Sequence, residues 1–79
     1  MSSFNQAVQR RIQVDGVEYI APEDTTPGDV VRAIGKDPNT TSLVTSNPDE
    51  ATSTFLNTND SIRLKNGDRF ETNMTGLGG

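Results

Sequence analysis

An Asp15-Gly16 pair set between alternating apolar residues constrains this chain more than any other feature. In RIQVDGVEYIA, Ile12 and Val14 alternate with Arg11 and Gln13 before the pair, and Val17, Tyr19 and Ala21 alternate with Glu18 after it. Two-residue hairpins favour type I′ turns, in which both central residues take positive φ; Asp-Gly supplies both, and its twist matches the flanking strands. The spacing therefore predicts an antiparallel hairpin beginning near Arg10. A metal-ligand reading of Asp15 has no neighbouring carboxylates to support it, and the turn reading is preferred.

Past the hairpin, TTPGDVVRAIGKDP carries the marks of a short helix. Thr26 can cap it, and Pro27 fits the first helical position, where no N–H is needed. Asp29 completes a Thr-x-x-Asp box at the positive end of the helix dipole. Val30 and Ile34 share a face with Ala33 beside them, and Gly35 can take the left-handed conformation that ends the helix. About eight residues of helix are marginal alone in water, so packing on a sheet must hold them.

From Lys36 to Asp60 the chain is rich in Thr, Ser, Asn and Pro, with apolar islands at Leu43-Val44 and Phe55-Leu56. So long a structureless loop is out of place in a small domain, which predicts one strand near 41–46 and a short one near 54–57. In SIRLKNGDRFET, Ile62 and Leu64 alternate with Arg63 and Lys65, and Asn66-Gly67 predicts a second hairpin that returns through Phe70. The expected organisation is an N-terminal arm over 1–9, one domain over 10–72 and a tail over 73–79. A hairpin, a helix and further short strands within that span define an α+β fold. The expected form is a β-grasp: a mixed sheet of four to six short strands with one helix packed across it.

Composition limits what such a domain can do. The 79 residues include no Cys and no His, which removes disulfides, the common zinc frameworks and the usual general base. Ser and Thr hydroxyls are poor nucleophiles without an adjacent base, so catalysis by this chain is not expected. A net charge of −4 disfavours nucleic acid, whose affinity comes largely from Lys and Arg. No stretch is apolar enough to span a membrane or act as a secretion signal, so the expected setting is cytoplasmic. The sequons at Asn39, Asn59 and Asn73 are read as accidents of an Asn, Ser and Thr rich sequence. Lys36 and Lys65 can be read as acceptors for another modifier or as solvated charges, and the second is the commoner fate of Lys.

The sequence as given closes on NMTGLGG. Two closing glycines occur by chance in roughly 0.5% of chains at average glycine usage of about 7%. Loose Gly-rich ends are common, and ordering one costs entropy that only a binding partner offsets.

Taken together, IQVDGVEYIAPEDTTPGDVVRAIG, NDSIRLKNGDRFET and the diglycine resemble a ubiquitin-like modifier. The resemblance is to bacterial ubiquitin-like proteins encoded beside E1-like, E2-like and JAB-type protease genes in conjugation operons, some linked to antiviral defence, and it covers most of residues 10–79. It implies that the carboxylate of Gly79 is adenylated by an E1-like activating enzyme, which uses the ATP, and is passed by an E2-like enzyme to target proteins. A JAB-type protease would process or remove the modifier. Gly76, Leu77 and Gly78 would thread into these enzymes, where glycines without Cβ let the backbone approach closely. Seven extended residues from Asn73 to Gly79 reach about 24 Å. The resemblance implies no cofactor bound by the chain itself.

Ubiquitin has arginines before its glycines and MTGLGG has none, which implies a cognate activator. Gly79 and Gly76 both remain candidate mature termini. Two other functions stay open: a sulfur carrier, whose adenylated carboxylate becomes a thiocarboxylate, and a non-conjugated interaction module.

Overall fold

The computed structural model describes residues 8–48 and 53–74. Strands β1 (Gln9–Val14) and β2 (Val17–Pro22) form the first hairpin. At its turn Asp15 has φ 53° and Gly16 has φ 81°, the positive pair that a type I′ turn requires. Ile12 and Val14 are each 1% exposed while Arg11 and Gln13 face solvent, so the period-2 reading holds along β1.

After a two-residue strand, β3 (Asp24–Thr25), helix α1 runs Pro27–Ala33. Thr26 caps it by accepting from the Asp29 amide at 3.1 Å, and the Asp29 carboxylate turns to Arg32 at 2.8 Å. The helix ends where Gly35 takes φ 89°: its N–H donates to Arg32 O, and the Lys36 N–H donates to Val31 O, the Schellman pattern.

The buried stripe is Pro27, Val30 and Val31, with Ile34 half-buried at its end, which is the i, i+3, i+4, i+7 spacing of one helix face. Ala33, expected on that face, lies off the stripe and is exposed, and Val31 takes the place. Gly28 lies on the buried side, where a Cβ would come 2.6 Å from Thr58 Cγ2 and 3.2 Å from Thr58 O; its own N–H donates to that carbonyl. Only glycine lets the helix approach the 57–60 loop so closely.

Strands β4 (Thr41–Thr45), β5 (Phe55–Leu56), β6 (Ile62–Arg63) and β7 (Arg69–Met74) complete the chain. The main sheet has the order β2-β1-β7-β4-β5, with β1 and β7 parallel and the other pairs antiparallel, while β3 and β6 form a separate two-stranded ribbon. One helix packed on a mixed five-stranded sheet is a β-grasp-like α+β arrangement. The core between them is Ile12, Val14, Ala21, Val30, Val31, Leu43, Leu64 and Phe70, with Tyr19, Ile34, Leu56 and Ile62 packed at its rim.

The second expected hairpin is absent. Gly67 has φ 93° but Asn66 does not share the positive region, and Asp68 N–H closes the turn on Lys65 O, as in type II turns. That geometry splays the flanking segments, and β6 pairs with β3 while β7 enters the main sheet. Strand β7 also continues through Asn73 and Met74, two residues into the stretch expected as tail, because Ser42 and Thr41 of β4 pair with them.

Candidate functional site

The last described strand is the element that leads toward the glycine-rich sequence. β7 lies at the centre of the sheet, flanked by β1 and β4. Phe70 points into the core and is 4% exposed; Arg69, Glu71 and Asn73 face the side away from the helix, and Thr72 is half-buried. Gly76, Leu77, Gly78 and Gly79, the residues expected to carry the chemistry, lie outside the described residues. Met74, the last residue described, pairs with Thr41 and is exposed.

Two side chains extend the β1·β7 ladder beyond its backbone limits. Along β1 the Gln13 and Asp15 amides donate to Asp68 O and Phe70 O, both at 3.0 Å. One step earlier no ladder carbonyl is in place, and the Arg11 amide donates instead to Asn66 Oδ1 at 2.9 Å while Gly67 N–H returns a bond to Arg11 O. At the other end, where β1 has already turned, the Thr72 amide donates to Asp15 Oδ1 at 2.9 Å and the Thr72 hydroxyl donates to Asp15 Oδ2 at 2.5 Å.

The Thr72 hydroxyl is the main reason the Asp15 carboxyl is held below its ordinary pKa; slight burial opposes it, and the Thr72 amide and the Lys36 charge assist. Lys36 and Lys65 are both exposed. The sequence reading missed this second role of Asp15. The available signal was a Thr two residues beyond Phe70, on the strand destined to lie beside the turn.

Glu23 is held below its ordinary pKa as well, chiefly by a hydrogen bond from Arg10 Nη2 at 2.7 Å, with burial opposing. For carboxyls whose folded pKa is depressed, stability is complete above the unfolded-state values, about 3.9 for Asp and 4.3 for Glu, and is lost as pH falls through the folded values. Urea midpoints should therefore stay level from pH 7 to about 5 and drop below about pH 4. Asp15→Asn should flatten part of that drop, and a midpoint that instead rises on acidification would contradict the two interactions.

The face of the sheet away from the helix carries Val44 beside Phe55 on the β4·β5 side, and Ile20 over an open groove lined by Arg11, Gln13 and Arg69 on the β1·β2 side. Phe55 and Ile20 are about 60% exposed. Among the described residues no group of three or more metal-ligating side chains comes together, and no helix is long and apolar enough to cross a membrane. No protein-family model, curated protein or solved structure matches the chain. The functional reading therefore rests on the fold, the exit strand and the sequence that follows it.

Proposed function

We propose that this chain is a ubiquitin-like protein modifier. On this reading the carboxylate of Gly79 is adenylated by an E1-like enzyme with ATP, transferred through an E2-like enzyme to a target protein, and processed or released by a JAB-type protease. The observation that carries the proposal is a β-grasp-like domain whose central strand, β7, is followed directly by Thr-Gly-Leu-Gly-Gly. The domain supplies a rigid body for partners to grip, and the glycines suit a narrow channel leading to a nucleotide. The chain has neither Cys nor His, so its reactive group is the terminal acyl carbon, which the activator makes electrophilic and a nucleophile then attacks. The proposal extends to a bacterial, cytoplasmic conjugation pathway of the kind some operons use in antiviral defence.

Intact-protein mass spectrometry after incubation with the cognate E1-like enzyme and ATP tests this reading. A covalent adduct of the full chain that disappears on deletion of Gly79 is the expected result. With a sulfide donor added to the same mixture, a product heavier by the exchange of one oxygen for sulfur, formed as sulfide displaces AMP from the acyl-adenylate, would establish the sulfur carrier instead. An unmodified chain in a mixture shown to be active would overturn both, as would a partner-binding activity that survives loss of Gly78 and Gly79 unchanged.

A further inference from the structure

The hairpin turn that begins the domain also holds its end. Asp15 and Thr72 are 57 positions apart, yet both Asp15 carboxylate oxygens are taken up by Thr72, one by its amide and one by its hydroxyl. The contact falls where β7 loses its neighbour. β1 stops at Val14, whose partner is Phe70, so among the described residues Thr72 to Met74 are flanked by backbone only on the β4 side. Because successive residues of a strand direct their backbone groups to alternate sides, and Asp15 N–H donates to Phe70 O, the Thr72 amide faces the side that β1 has vacated.

We propose that Asp15 is a positioning residue for the C-terminal segment: its carboxylate stands in for the missing strand, keeps β7 in register past the end of β1, and fixes where Met74 hands on the chain that enters the activating enzyme. This rests on the modifier reading. It also accounts for the residue at the turn. Glycine would satisfy the positive φ at position 15 with less strain, whereas Asp adds an acceptor for each donor of Thr72. An Asn preserves the pair differently, with Oδ1 accepting from the amide and Nδ2 donating to the hydroxyl.

Three variants separate the possibilities: Asp15→Gly, which keeps the turn and removes the latch; Asp15→Asn, which keeps the latch without its charge; and Thr72→Val, which leaves only the amide bond. Amide exchange followed by NMR and corrected for global stability is the first readout. Loss of a bond of about 1.4 kcal/mol corresponds to tenfold, so Thr72 exchange should quicken by roughly tenfold in Asp15→Gly and stay near the parent rate in Asp15→Asn. Asn73, bonded on the β4 side, should not change. Equal Thr72 rates in the parent and Asp15→Gly would overturn the latch.

The second readout is activation by the E1-like enzyme with ATP. Asp15→Gly should raise KM several-fold with kcat little altered, Thr72→Val should fall between it and the parent, and Asp15→Asn should restore the parent KM. An unchanged KM despite faster exchange would overturn the positioning role. If the parent chain itself is not activated, the modifier reading fails, while the exchange rates still judge the latch by themselves.

Discussion

Replacing Phe70 with alanine is expected to destabilise the domain by about 3 to 5 kcal/mol. The ring is 4% exposed and projects from the central strand, where its register partners are Val14 on β1 and Thr45 on β4. No neighbouring backbone can move in to fill the space, because β7 is hydrogen-bonded on both sides at this level. A chain of 79 residues has a total stability of about 4 to 12 kcal/mol at typical values per residue. The variant should therefore be largely unfolded near the lower limit. Near the upper limit it should melt about 12 to 40 °C below the parent, at 4 to 8 °C per kcal/mol. Urea titration followed by circular dichroism measures the loss, and a change under about 1 kcal/mol would show that the ring is not the centre of the core.

The second large effect is expected at Leu64, and its size is clearest against Ile34. Leu64 is 1% exposed although it lies just outside β6; its amide donates to Glu23 O at 2.7 Å, so it joins the β3·β6 ribbon to the main core. Leu64→Ala should cost about 2 to 5 kcal/mol, since the backbone bond pins the segment and prevents collapse into the cavity. Ile34 packs at the rim of the same cluster and is only half-buried. Ile34→Ala removes less area from a site open to water and should cost roughly half as much. Parallel denaturant titrations of the two variants provide the test, and equal losses would overturn the distinction between centre and rim.

Much of this architecture is written in local signals. The Asp15-Gly16 turn, the Thr26-Pro27 helix start, the Gly35 stop and the two polar-bounded strands around Leu43 and Phe55 each depend on residues within a few positions, and each forms where the spacing predicts. Pairings between distant residues are less legible. Strand β3 has two residues and exists only because Asp24 and Thr25 meet Arg63 and Ile62. Asn66-Gly67 carries a hairpin motif, yet the turn adopts another geometry because Asn66 is engaged by the Arg11 amide, 55 positions away. Asp15 was legible as a turn residue and not as the partner of Thr72 for the same reason. The glycines that the sequence offers as the candidate site lie outside the described residues.

Of the described strands, the middle one of the sheet is the last to be made. Neither β1 nor β4 acquires its inner neighbour until Arg69–Met74 is available, so during synthesis the β1·β2 hairpin and the β4·β5 pair remain two halves without a keystone. A nascent chain interrupted before β7 keeps its apolar residues without the strand that seals them, and it has not yet acquired the glycines. Closure of the sheet therefore waits on β7, and a chain stalled before it leaves the apolar faces of both halves open to proteolysis.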